Sequence, residues 1–217
     1  MIEAAEAAGV KRFIVSDFGW GPSIQGLPEL AAVHAQRVAS WEAARVRADA
    51  NPQFTWTGIS TGNPIDWALK KFATMGFDVV QRTTIIYDSG MEKFSGTTLE
   101  GIGQSVVGVL QDPDATANRF VKVRSINTCQ NELLEAFQRV TRQEWPVQRS
   151  TTKALLERGR SKLQAGSGGW VLDMVVAQLF DEGQGRCMVA ASREESDADL
   201  LGVREESAEE IVTKALK

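Results

Sequence analysis

Arg12-Phe13-Ile14-Val15-Ser16-Asp17-Phe18-Gly19 and, further along, Phe54-Thr55-Trp56-Thr57-Gly58-Ile59-Ser60-Thr61-Gly62-Asn63-Pro64 decide the fold. The first is a short apolar run after basic residues, closed by a polar residue and glycine, which reads as a buried strand of parallel type ending in a loop. The second alternates, is rich in β-branched and aromatic residues, and runs into a Gly-Asn-Pro loop, so it reads as a second strand. Between them lie the Gly- and Pro-punctuated segment from Gly19 to Pro28 and the alanine-rich stretch from Glu29 to Ala50. In that stretch Val33, Val38, Trp41 and Val46 stand among Arg and Glu, the pattern of an amphipathic helix that Asn51-Pro52 ends. Upstream, Ile2, Ala5 and Gly9 keep helical spacing and stop at a glycine. Helix, strand and loop thus occur twice, which predicts an α/β layer built on a parallel sheet.

The remaining chain continues the mixture. Thr83–Tyr87 and Phe120–Val123 read as strands, and Thr97-Thr98-Leu99-Glu100 is a capping signal before a helix with Ile102, Val106, Val107 and Leu110. Thr128–Glu132 opens a helix reaching Val140, Trp145-Pro146-Val147 is extended, and Ser150–Leu163 is a charged helix. Gly166–Gly169 is a turn, Trp170–Phe180 an apolar helix, and Glu205–Lys217 a short amphipathic one.

Composition limits the chemistry. The 217 residues carry 24 Lys and Arg against 28 Asp and Glu, a formal charge of −4, with 43% apolar residues. The apolar content argues against disorder, and the acidic balance against a strong nucleic-acid binder. No run approaches the ~18 apolar residues of a membrane span, and the first residues are not those of a signal peptide, so a cytoplasmic protein with no membrane partner is expected. Cys129 and Cys187 lie far apart, and His34 is the one histidine, so thiolate zinc sites, redox dithiols and multi-histidine metal centres are not expected.

A dinucleotide fingerprint needs G-x-G-x-x-G between strand and helix, so that backbone amides approach the diphosphate. The glycine pairs Gly19/Gly21, Gly101/Gly103 and Gly166/Gly168 lack that spacing, and no Walker motif occurs. An open α/β sheet places its ligand crevice at the carboxyl ends of its strands. Ser16 and Asp17 occupy that position after the first strand, and Thr61, Gly62 and Asn63 after the second; turn capping alone would account for the same residues. Asp66-Trp67 could line the same pocket or pack into the core.

At these residues the chain resembles the NmrA-like proteins of the isoflavone-reductase group. Ala7–Gly19 is similar to that family's A-G-V-K-R-F-I-P-S-E-F-G signature, and Thr55–Trp67 to a stretch of its fungal members. Asp88–Gly90, Ser95–Gly103, Asn118–Ser125 and Leu200–Val203 follow in the expected order. The resemblance implies an atypical short-chain-dehydrogenase-like oxidoreductase with a partial Rossmann-like three-layer sheet, binding NADP or NAD, and a smaller C-terminal α/β substrate domain. It places residues 1–90 in the nucleotide domain and 91–217 mostly in the substrate region, the two interleaved. It puts Ser16, Asp17, Phe18 and Gly19 beside the cofactor, and Thr61, Gly62, Asn63, Pro64 and Trp67 towards a small, aromatic or secondary-metabolite substrate.

Two departures qualify it. The strands and glycine-rich loop that open the family's nucleotide domain would precede Met1, so the expectation is a domain without its glycine-rich half and with an open sheet edge through which it could form a homo-oligomer. The family's catalytic lysine is also missing, since no lysine lies between Lys11 and Lys70. Arg37, and less directly His34, stand where it is expected. A guanidinium stays protonated, so it can orient or neutralise but cannot shuttle a proton. The expectation is therefore an NAD(P)-dependent oxidoreductase impaired as this chain stands. The alternatives are a non-catalytic dinucleotide sensor or protein-binding regulator, and a truncated fragment.

Overall fold

A computed structural model describes residues 1–22 and 24–217. The two decisive stretches form strands β1 (Arg12–Ile14) and β2 (Thr55–Ser60), preceded by helix α1 (Ile2–Ala7) and separated by a 3-10 turn (Pro28–Leu30) and helix α2 (Ala31–Ala50). The two strands pair in parallel, Arg12 opposite Thr55 and Ile14 opposite Thr57, and β7 (Arg119–Lys122) joins β2 in parallel on its other side. The order β1-β2-β7 leaves β1 at the edge of this sheet.

The sheet is covered on both faces. Val15, Trp56 and the half-buried Phe120 pack towards Trp41 and Ala44 of α2. Phe120 lies edge-on to both indoles, at 5.0 Å from Trp41 and 5.5 Å from Trp56. Gly58 sits in the middle of β2 because a Cβ there would stand 2.2 Å from the Phe120 ring. On the opposite face Ile59, Val121 and Val123 meet Val109 of helix α4 (Leu99–Gln111) and Leu201 and Val203 of the tail. The three layers are those the sequence predicts, a partial Rossmann-like α/β arrangement.

Beyond β2 come β3 (Asn63–Pro64), α3 (Ile65–Lys71), β4 (Phe77–Asp78), β5 (Thr83–Tyr87) and β6 (Phe94–Thr97). After α4 and β7 follow β8 (Ile126–Thr128), α5 (Gln130–Thr141), β9 (Val147–Ser150), α6 (Thr152–Gln164), α7 (Trp170–Leu179) and α8 (Ala208–Ala215). Two further three-stranded sheets, β3-β6-β8 and β4-β5-β9, mix parallel and antiparallel pairs. The largest core lies here, with Leu69, Phe77, Phe94, Leu133, Phe137, Trp145, Val176, Phe180 and Ile211 buried together. Among the described residues no helix is long and apolar enough to cross a membrane.

Several elements differ from the sequence reading. β2 looks alternating, yet Trp56 to Ser60 are all buried, because α2 covers one face of the strand and α4 the other. The helix expected from Glu29 begins at Ala31, after the 3-10 turn started by Pro28. The extended segment expected at Trp145–Val147 becomes a strand only from Val147, where it pairs with β5. Strands β3, β4, β6 and β8 are too short to leave a periodic signal. The Thr98 cap is as read: its hydroxyl accepts from the Gly101 amide at 3.2 Å.

Candidate active site

The loops after β1 and β2 are tied together at the carboxyl end of the sheet. The Gly19 carbonyl accepts from the Thr61 amide at 2.7 Å and the Gly62 amide at 2.9 Å. Gly62 has φ +66°, and a Cβ there would stand 2.3 Å from the Ser95 carbonyl oxygen, so the position requires glycine. The Thr97 hydroxyl donates to the Thr61 carbonyl at 2.6 Å, fixing the second loop against β6.

Within this frame Asp17 points inwards. Its side chain is 3% exposed and forms an ion pair with Arg37 at 3.1 Å, whereas the Arg37 side chain is 46% exposed. Burial pushes the Asp17 carboxyl above its ordinary value, and the charges of Arg37 and His34 pull it part of the way back. His34, Arg37, Trp41 and Ala44 follow one another at three or four residues along α2, so one helix face carries both the site residues and the packing that holds them. The His34 ring stands edge-on to Trp41 at 5.6 Å between centroids. Gly19 closes the corner, since a Cβ there would meet the Arg37 guanidinium at 2.9 Å.

His34 and Arg37 open onto a cavity of about 210 Å³, whose walls include Trp20, Leu27, Leu30, Val33 and Val175. Gln178 of α7 lines the far side, 2% exposed, with its carbonyl accepting from the Leu27 amide at 2.8 Å. The structure thus sets His34 and Arg37 on one cavity wall, with Asp17 and Gly19 against Arg37. Ser16 and Phe18 are exposed, their side chains alternating outwards from the same segment. Thr61, Gly62 and Asn63 are buried in the loop that supports Gly19 and do not line the cavity. Pro64 begins the turn into α3, and Trp67 stands on the surface, edge-on to Phe72 at 4.9 Å. Asp66 caps α4 by accepting from the Leu99 amide at 3.0 Å.

Sequence reasoning missed Trp20, Leu27, Val175 and Gln178. The first two lie in a segment legible only as loop, and the last two on a helix read as plain core. Gln178 was the available signal, a lone amide within the apolar run Val175–Phe180. Both thiols are buried, and burial pushes Cys187 up to about 12, which leaves it inert as a nucleophile at neutral pH. No cluster of three potential metal ligands occurs among the described residues.

A dinucleotide's diphosphate does not fit what these residues provide. The helix nearest the crevice, α2, follows Leu30 and a proline-started 3-10 turn, and the first turns of α4, α6 and α8 are closed by the hydroxyls of Thr98, Thr151 and Ser207. Among the described residues no glycine-rich loop of dinucleotide spacing leads from β1 or β2 into a helix, although the helices that follow them, α2 and α3, carry no side-chain cap.

A three-layer parallel sheet with an inward acid and a basic helix face at its carboxyl end defines a Rossmann-like ligand-binding protein. No family model matches the chain. It is 66% identical over all 217 residues to "Oxidoreductase poxI" of Penicillium oxalicum, covering 69% of that protein. Over 151 residues, 68% of the chain, it is 32% identical to "Oxidoreductase aprR" of Aspergillus flavus, covering 48% of it. Among solved structures, an isoflavone reductase superposes with a TM-score of 0.70 at 16% identity, covering 99% of this chain and 71% of that one. The Citrobacter sp. triphenylmethane reductase complexed with NADP(H) gives 0.64 at 14% identity, covering 98% and 68%. The chain belongs to the same family as the fungal oxidoreductase poxI, and it shares the fold of the isoflavone reductase.

Proposed function

We propose that this chain supplies the substrate side of an NAD(P)-dependent oxidoreductase acting on a small, largely apolar molecule of aromatic or secondary-metabolite type. The observation that carries this reading is the cavity beside the Asp17–Arg37 pair, apolar on most sides and charged at one end. Support for the cofactor comes from the relatives' names and from the NADP(H) complex of the triphenylmethane reductase. In this reading Ser16 to Gly19 face the nicotinamide end, while the loop of Thr61 and Gly62 backs the site from behind by holding Gly19. Arg37 occupies the family's lysine position and orients an acceptor group with its planar guanidinium. His34, beside it on the same face of α2, is the other candidate for that role.

The nucleotide part ends near residue 90 in this reading, and the substrate region follows, interleaved with it. The interleaving is supported by β7, which lies past residue 90 and returns to the β1-β2 sheet, and by β5, which lies before it and pairs forward with β9. The 217 residues alone turn over nothing, because they offer the coenzyme no diphosphate cradle. The fixed charge of Arg37 also favours a second reading, a non-catalytic sensor or regulator. A spectrophotometric assay of NADPH oxidation with a panel of aryl ketones tests this: no turnover above background is expected from this chain, and steady turnover overturns the impairment.

We extend the reading to assembly. The outer edge of β1 has no strand partner among the described residues, and Phe13 and Ile14 on it are only half-buried. Pairing of that edge with a second copy makes a homo-oligomer. Light scattering is expected to give a dimer or larger species, and a monomer at all concentrations contradicts it.

A further inference from the structure

The unengaged donors of the cavity wall all stand on one turn of α2. Apart from His34 and Arg37, the wall consists of aliphatic residues, the Trp20 ring and Gln178. Gln178 is engaged, its carbonyl accepting from the Leu27 amide at 2.8 Å and its amide nitrogen lying 3.8 Å from the Cys187 Sγ. Among the described residues no carboxylate is part of the wall: Asp17 pairs with Arg37 from outside it, and Glu29 pairs with Arg160. The Arg37 guanidinium gives only its Nη1 to Asp17, at 3.1 Å, and leaves Nε and Nη2 without a partner among the described residues. His34, three residues earlier on the same helix face, makes no hydrogen bond among them either, and its ring always offers at least one N–H. An apolar space with two free donor groups at one end and no acid lacks an acceptor with two oxygens. A carboxylate meets that need better than a ketone, because charge-assisted bonds are about twice as strong as neutral ones and the guanidinium fork matches a pair of oxygens. Its desolvation cost is limited here, since the Arg37 side chain is 46% exposed. The volume, about 210 Å³, lies below the roughly 300–1,000 Å³ of drug-sized pockets and limits the apolar part to one or two rings.

We infer that Arg37 and His34 are specificity-determining residues for an acidic ligand: they hold the carboxylate of a small ring-bearing molecule whose apolar body lies against Leu27, Leu30, Val33 and Val175. This rests on the cavity being the substrate side of the site, and adds that the molecule it selects is an anion. Asp17 works against that ligand. Its carboxylate sits on the same guanidinium and repels a second one, while it holds Arg37 in place beside Gly19.

The test uses benzoate, acetophenone and ethylbenzene as probes of one size, titrated by nuclear magnetic resonance into the 217-residue chain, Arg37→Gln and Asp17→Asn. The unsubstituted chain is expected to bind benzoate about tenfold more tightly than acetophenone, the difference between a charged and a neutral hydrogen bond. Benzoate, but not ethylbenzene, is expected to move the Arg37 Nε–H resonance, which places the anion at this arginine and not at another. Arg37→Gln should weaken benzoate about tenfold and acetophenone less than about threefold. Asp17→Asn, which removes the repelling charge, should tighten benzoate about threefold and leave acetophenone unchanged. If Arg37→Gln does not fold, the preference of the unsubstituted chain, the Arg37 resonance and Asp17→Asn still decide. Equal binding of acid and ketone, an unmoved Arg37 resonance, or weaker benzoate binding by Asp17→Asn would overturn the selection of an anion while leaving the cavity as a ligand site. Failure of all three probes to bind would overturn both.

Discussion

Where β1 and β2 meet α2, four side chains form the buried cluster, Val15, Trp41, Ala44 and Trp56, and α1 buries none. Around α3, α5, α7 and α8 twenty are buried together. The cavity lies between these regions, with His34 and Arg37 on the lightly cored side and Val175 and Gln178 on the heavily cored one. One wall is thus held by few contacts and the other by many. In the isolated chain the charged wall is the one free to open.

The largest effect expected from that contrast is in the heavy core. Phe137, fully buried and stacked on Phe77 at 4.9 Å, is expected to cost about 3–5 kcal/mol as Phe137→Ala, read from urea unfolding. The same contrast predicts faster amide hydrogen exchange in α1, β1 and the first turns of α2 than in α5 and α8. Uniform protection across the two regions would break the comparison.

The two buried aspartates sharpen it. Asp173 is held by Arg158 at 2.8 Å and Lys162 at 2.7 Å. Burial alone would raise its carboxyl, yet those hydrogen bonds bring it below the ordinary value. Asp17 has one ion-paired partner, Arg37, and burial outweighs it together with the charge of His34. Arg37→Ala leaves that carboxylate buried and unpaired, with an expected cost of about 1–2 kcal/mol at neutral pH, below the 3–5 typical of buried pairs because the guanidinium is half exposed. A raised carboxyl contributes stability that is fully present below its ordinary pKa and lost as the pH rises past the raised one. The Arg37→Ala deficit should therefore shrink on acidification, and a deficit that grows would reverse the assignment.

A smaller effect is expected at the C-terminus. Ser207 and Glu210 form a reciprocal cap on α8. Ser207→Ala is expected to cost about 1 kcal/mol in thermal unfolding. Hydrogen bonds from the Ser207 backbone, then from Arg204 and the Ser207 side chain, hold Glu210 down at about 2. Its contribution is present above the ordinary glutamate range and fades as the pH falls towards that value. The smallest expected change is Asp17→Asn, within about 0.5 kcal/mol, because it removes a buried charge and leaves only an exposed cation unpaired.

The fold was legible where burial leaves a period. The helix at Thr98, the strand at Thr83 and the closing helix all carry local signals, a cap or a β-branched run. Strands β3 and β4, two residues each, are made by pairing across the chain and carry none. The site was half legible. Asp17 and Arg37 follow from the strand end and the helix face, but Trp20 and Gln178 become neighbours only through the packing of α7 against the loop after β1. Thr61 to Asn63, polar residues at a strand end, look like ligand contacts in sequence; in the structure all three are buried, Thr61 and Gly62 bonded to Gly19 and Thr61 also to Thr97.

The central proposal is that the described residues form a cavity for a small substrate but no cradle for a dinucleotide's diphosphate. Calorimetric titration of the folded chain with NADPH tests it most directly. No saturable binding below millimolar concentration is the expected result, and micromolar binding at one site per chain would contradict it.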